Sequence, residues 1–150
     1  MSIISFPVKI LPDTSIYIPF INKGISHPVL DVSIEKPMLY ICAVVMEELY
    51  AGAQDVVSVK LLDKMYETYE KLGRLVVPSA SDWRKTGKIV SKLGKKYGFE
   101  GRYLTKIQND ILIALCAKQI GAYLVTQNTK DFLRIREFLD FKLYANDNRS

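Results

Sequence analysis

Residues 105–132 read TKIQNDILIALCAKQIGAYLVTQNTKDF, and the fold class follows from how this stretch changes period. Thr105 to Ile120 is a predicted helix, strongly apolar through Ile111, Leu112, Ala114, Leu115 and Ala117, and Gly121 ends it. Tyr123 to Thr126 is a short β-prone run, followed by a turn and a helix around Asp131. Helix, strand and helix in quick succession are the repeating unit of a parallel sheet covered by helices.

The same alternation extends outward in both directions. Toward the N-terminus, the apolar run Ile3 to Leu11 contains a predicted strand, Val8 to Leu11, stopped by Pro12. Asp13-Thr14-Ser15 follows, and Ile16, Tyr17, Phe20 and Ile21 then repeat at helical spacing, which puts Asp13 at a strand-to-helix junction. Pro28, Asp31 and Pro37 mark irregular chain. Met38 to Cys42 is a second strand, running into a helix that passes through Glu48 and ends at Gly52. Gln54 to Leu72 is a long amphipathic helix with Val57, Leu61, Leu62, Met65, Tyr69 and Leu72 on its apolar face, stopped by Gly73. Leu75 to Val77 is a brief strand bounded by Pro78. Ser81 or Asp82 caps the next helix, with Trp83, Ile89, Val90 and Leu93 inward and lysines outward. Phe141 to Tyr144 is the last strand. Such a chain predicts a doubly wound parallel sheet, which binds ligands beyond the carboxyl ends of its strands.

Composition narrows the function classes. The 150 residues are 49% hydrophobic and 25% charged, which suits one globular domain spanning 1–150. No apolar run approaches the roughly 18 to 20 residues that span a bilayer, and no secretory signal is visible, so a cytoplasmic location is expected. Cys42 and Cys116 both lie in apolar runs and read as buried free thiols. The net charge is +5, but Asp82 to Lys106 alone carries +6, from Arg84, Lys85, Lys88, Lys92, Lys95, Lys96, Arg102 and Lys106 against Asp82 and Glu100. A basic segment on a near-neutral body suits a polyanion, although a solvated helix face has the same composition. His27, the one histidine, precedes Pro28 and reads as a surface residue, so Ser–His–Asp and Cys–His schemes and zinc sites lack their parts. There is no Gly-rich phosphate loop of the Walker kind. Tyr66, Tyr69 and Tyr97 read as core or dimer contacts rather than base-stacking platforms.

Four acids fall at comparable junctions. Asp13 follows the first strand, Asp131 follows the Tyr123 to Thr126 strand, and Glu48 and Asp110 sit in apolar helical settings. A carboxylate beside a core-facing stripe is costly unless its charge is met. Clustered carboxylates must protonate or find a cation, and a hard divalent ion with oxygen ligands fits, magnesium or manganese above all. That chemistry hydrolyses phosphodiesters. Each acid also has a plainer reading: Asp13 as a helix cap, Glu48 as half of an exposed Glu47-Glu48 pair, Asp110 as a partner of Lys106 one turn away, Asp131 as a turn acid near Lys130 and Arg134.

Together these segments resemble the PIN-domain family. Asp13-Thr14-Ser15 resembles its opening motif, Glu48-Leu49-Tyr50-Ala51-Gly52 its Glu-Leu-x-x-Gly helix, Asn109 to Ala114 its Asp-x-x-Ile-Ala helix, and Thr126 to Phe132 its Thr-x-Asn-x-x-Asp-Phe segment. Order and spacing fit over nearly the whole chain, and Pro78 to Trp83 is similar to the segment before the basic helix in toxin-type members. The resemblance implies a three-layer α/β/α sandwich with a mainly parallel sheet of about five strands. It implies a magnesium- or manganese-dependent endoribonuclease, closest to VapC-type toxins, which form homodimers and are silenced by a small VapB-type antitoxin. Carried over, Asp13, Glu48 and Asp110 would be metal ligands and catalytic acids, with Asp131 the fourth; Asn128 stands where some members place an acid, so that role is shared or shifted. Thr14 and Thr126 would orient ligands or water. Arg84, Lys85, Lys88, Lys92, Lys95 and Lys96, with Arg102 and Lys106, would hold the RNA backbone. The chain departs from the family at Cys42, where many relatives have Ser, at Pro12, where an aliphatic residue is more usual, and in the doubled Glu47-Glu48, of which Glu48 precedes the Leu-x-x-Gly. The competing functions are a non-catalytic PIN-fold module binding RNA or protein, and a regulatory subunit whose basic face binds an acidic partner.

Overall fold

The computed structural model describes residues 8–31, 38–98 and 100–145. The apolar run before Val8 and the break at Pro37 lie outside the described residues. In order, the elements are β1 (Lys9–Pro12), α1 (Thr14–Lys23), a 3-10 turn (Pro28–Asp31), β2 (Met38–Leu39), β3 (Ile41–Cys42), α2 (Ala43–Gly52), α3 (Val56–Lys71), β4 (Leu75–Val76), α4 (Ala80–Tyr97), α5 (Gly101–Ile120), β5 (Tyr123–Thr126), α6 (Thr129–Ile135) and β6 (Lys142–Ala145). Every strand pair is parallel.

Four strands lie in the order β2-β1-β5-β6, and β3 pairs with β4. The predicted strand Met38 to Cys42 accounts for both groups, because it changes partner at Tyr40. Its first half pairs with β1, and the Tyr40 amide still donates to Ile10. The Ile41 amide turns the other way and donates to Arg74, beside β4. Five strand positions therefore run β4, β3/β2, β1, β5 and β6.

Alternate residues of β1 and β5 serve opposite faces. Leu11 and Leu124 enter the main core with Val45, Leu62, Leu93, Ile111 and Phe132. Ile10 and Val125 meet Ile16 of α1 on the other face, under Val29 and Leu30. Helices cover both faces, and α5 is the most buried, with Asp110 through Ala117 all inside. A helix buried on every side is apolar on every side, which makes Asp110 its exception. Gly121 closes α5 at φ 67°, a conformation that glycine adopts without a Cβ clash, and the chain turns straight into β5.

Several local expectations are corrected. Helix α4 is capped by Ser79, not by Ser81 or Asp82: the Asp82 amide donates to the Ser79 hydroxyl and the Ser79 amide donates to the Asp82 carboxylate, a reciprocal box. The buried stripe of α4 runs through Asp82, Thr86, Ile89 and Leu93, and Trp83, one residue round the helix from Asp82, is exposed. In α3 only Leu62 is fully buried, while Val57 protrudes from the first turn and Leu72 lies past the last one. His27 is buried rather than on the surface, because its Nδ1 accepts the Val29 amide and so caps the 3-10 turn. Tyr69 does belong to the core edge, where its hydroxyl pairs with that of Tyr17. Cys42 and Cys116 are buried free thiols with their sulfurs 3.1 Å apart, and Cys42 gives α2 no side-chain cap.

Candidate active site

The chain leaves β1 toward one sheet edge through β2 and β4, then returns to β1's other side through β5 and β6. The carboxyl ends of β1 and β5 therefore flank the point where strand order reverses, where such sheets form their crevice. Asp13 stands at the end of β1 and Thr126 at the end of β5, and the Asp13 amide donates to Val125 across the ladder.

Asp13 is 4% exposed and fully engaged. It caps α1 by accepting the Ser15 amide at 3.0 Å on Oδ1, where the Ser15 hydroxyl also donates. Thr126 donates to Oδ2 at 2.7 Å. The Thr126 hydroxyl in turn accepts the Asn128 amide at 2.8 Å, and the Ser15 hydroxyl accepts the Gln127 amide at 3.1 Å. The plain capping role and a place in the crevice are thus one arrangement. Burial raises the Asp13 pKa above the usual carboxylate range, although the hydroxyl and amide donors oppose the rise.

Glu48 lies on the half-buried face of α2, whereas Glu47 is exposed. Thr14 donates to one Glu48 oxygen and the Asn109 amide group donates to the other at 3.0 Å. Glu48 is therefore tied to both α1 and α5.

Asp110 is 7% exposed, on the buried helix. Desolvation raises its pKa to about 7; Lys106 opposes the rise, and the negative charges of Asp13 and Glu48 add to it. Asp110 thus feels the charge of both Asp13 and Glu48. Asp131, in the first turn of α6, is reached through a cation: the Lys106 ammonium donates to Asp110 and to Asp131, each at 2.9 Å. Desolvation works against the charge of Lys106, yet these two carboxylates outweigh it and raise the lysine's pKa. Asp131 pairs with Lys106 rather than with Lys130 or Arg134. Asn128 sits at the N-cap of α6 without a side-chain cap bond.

Sequence reasoning placed the four acids at one edge but gave no role to two residues that hold them, Ser15 and Asn109. Both lie inside the quoted motifs, so closeness to Asp13 and Asp110 in sequence was the available signal. The reading of Asp110 as a partner of Lys106 one turn away holds, although Lys106 was also grouped with the RNA-facing cations. Among the described residues no three acids converge on a point where one ion would be held. The donors are all carboxylate oxygens, a set that fits a hard divalent cation, and the charge repulsion at Asp110 is the kind such an ion relieves.

On α4, Arg84, Lys85, Lys88, Lys92, Lys95 and Lys96 are all exposed. Lys96 is paired with Glu137, and Tyr97, also bonded to Glu137, stacks under Arg134 at 4.1 Å. A separate groove lined by Ile21, Gly52, Asp55 and Val57 lies at the far end of α1 from Asp13 and contains none of the four acids. No helix among the described residues is long and apolar enough to cross a membrane.

The PIN domain family matches residues 10–137, so the chain belongs to that family. No curated protein matches it. Among solved structures it is similar to a chain of VapBC2 from Rickettsia felis, a complex bound to a promoter DNA fragment, at 24% identity and a TM-score of 0.66, over 93% of this chain and 100% of the other. DNA-bound VapBC from Salmonella typhimurium gives 21% identity and a TM-score of 0.65, over 92% and 98% of the two chains. VapBC-1 from nontypeable Haemophilus influenzae gives 22% and 0.61, over 92% and 98%. At these identities the likeness shows the fold.

Proposed function

We propose that this PIN-domain protein is a metal-dependent endoribonuclease and the toxin of a VapBC-type toxin–antitoxin pair. The observation that carries the reading is the buried Asp110, raised to about 7 with Asp13 and Glu48 adding to the rise, at the strand-order reversal of the sheet. A purely structural core has no use for a buried acid set beside two further negative charges.

Asp13, Glu48 and Asp110 would hold magnesium or manganese, with Asp131 as the fourth acid and Asn128 beside it. When bound, such an ion would offset the developing charge on the phosphate and make water more acidic. The protein's own part is positional. Ser15 and Thr126 fix both oxygens of Asp13, and Thr14 and Asn109 fix both oxygens of Glu48. Lys106 engages Oδ2 of Asp110 in the metal-free protein and so holds that carboxylate in place at the crevice. Arg84, Lys85, Lys88, Lys92 and Lys95 on the outer face of α4 would bind RNA phosphates, with Lys96 contributing when it leaves Glu137. The VapBC neighbours support a VapB-type antitoxin as partner; the homodimer remains what the family resemblance implies, with residues 1–150 as a single PIN domain. Exposed Ile18, Ile25, Val56 and Val57 offer a protein partner apolar surface away from the acids.

The test is cleavage of a pool of structured RNAs with magnesium, manganese or EDTA, by wild type and by Asp13→Asn and Asp110→Asn. Metal-dependent cleavage lost in both variants is expected. Folded wild type that binds RNA and never cuts, with no antitoxin copurifying, would favour a non-catalytic binding module instead.

A further inference from the structure

Lys106 is the unusual residue of the crevice. Its ammonium is the only cation bonded to the acids among the described residues, and it bridges two helices, touching Asp110 on α5 and Asp131 on α6. Its side chain is 50% exposed, against 10% for Asp110 and 15% for Asp131, so the lysine is the more solvent-accessible partner in both pairs. Helix stabilisation does not account for the arrangement, because a lysine placed four residues before an acid is the weaker order for such pairs. The second bond, to a residue on another element, is not a helix-surface pair at all.

We propose that Lys106 is a built-in competitor for the divalent cation: its ammonium holds Asp110 and Asp131 together in the metal-free protein and leaves Asp110 when an ion seats there. This rests on the metal-binding reading above. An ammonium on Oδ2 and a divalent ion seated on the same Asp110 carboxylate repel each other, so the two cannot both lie close to it. The lysine's flexible four-carbon stem and half-exposed position let the head swing into water at small cost. The lysine would thereby set a threshold on metal affinity while keeping the empty crevice from being forced apart by its own acids.

The experiment is calorimetric titration of manganese into wild type, Lys106→Met, Lys106→Arg and Asp110→Asn, with thermal melting of each with and without metal. Lys106→Met is expected to bind manganese at least ~10-fold more tightly than wild type, from the removal of one adjacent positive charge. It should melt lower without metal and gain more on adding it, while Lys106→Arg stays near wild type. Equal or weaker manganese binding by Lys106→Met, with Asp110→Asn still losing it, overturns the competitor role and leaves the metal reading standing. Binding by neither wild type nor Lys106→Met overturns both. If Lys106→Met does not fold, the wild-type Lys106 ammonium signal in nitrogen-15 spectra decides. Its loss on saturation with magnesium supports the proposal, and its persistence overturns it.

Discussion

Asp13 and Asp110 are both buried acids at one edge of the same sheet, and they are held by opposite means. Asp13 is bound by neutral donors: two hydroxyls and an amide, themselves locked to the backbone of the next loop. Asp110 is bound by the charged tip of a long side chain that is half in water. Neutral, rigid donors hold a carboxylate whether or not anything else is present. A mobile ammonium holds it conditionally. The edge therefore has a fixed half, built into the fold at β1 and β5, and an adjustable half on α5 and α6.

Truncation should separate the halves most clearly. Asp13→Ala removes a helix cap and leaves the buried Thr126 hydroxyl without its acceptor, and is expected to cost about 2–3 kcal/mol in denaturant unfolding. Asp110→Ala removes one partner of a lysine that keeps Asp131 and water, and is expected to cost less than about 1 kcal/mol at pH 7. Equal losses would erase the distinction.

A pH series sharpens it further. In the metal-free protein Asp110 titrates near 7 against an ordinary value of 3.8. Between those values the folded chain keeps a proton that the unfolded chain releases, so the Asp110 contribution to stability is complete at low pH and is lost as pH rises toward 7. Asp110→Asn removes this dependence. Its stability relative to wild type should rise by on the order of 2 kcal/mol between pH 4.5 and 7.5, as read from unfolding curves. A flat difference would mean that Lys106 holds the acid ionised throughout.

The smallest effect on stability is expected from the outer face of α4. The double variant Lys92→Ala, Lys95→Ala should change unfolding free energy by less than ~0.5 kcal/mol, since both side chains are exposed. It should nevertheless weaken RNA binding and flatten its salt dependence. Unaltered RNA affinity at low salt would remove α4 from the interface.

The fold was legible where one kind of signal dominated. Period and glycine punctuation located α5 and β5, and the placement of acids after strands put Asp13 and Asp131 at one edge. What stayed hidden depends on approach in three dimensions. The partner change at Tyr40 follows from where β4 comes to lie, and no local pattern near Met38 records it. Trp83 read as inward because its apolar type was taken for its facing, whereas the first two turns of α4 bury the polar Asp82 and Thr86 instead. His27 read as exposed because a single histidine beside a proline carries no periodicity. The Lys106–Asp110 pair was legible from its one-turn spacing, but the second bond of Lys106, to Asp131 on α6, was not, because sequence spacing does not record approach between elements.

The bond between Thr126 and Asp13 spans 113 residues of sequence. β1 lies in the middle of the sheet, yet one of its two neighbours, β5, is made near the end of the chain. On that side β1 has no partner until Tyr123–Thr126 pairs with it. Such long-range pairing is slow and leaves an incomplete chain without its crevice. Asp13 and Thr126 therefore meet only in the finished sheet, and the crevice exists only once β1 and β5 are paired.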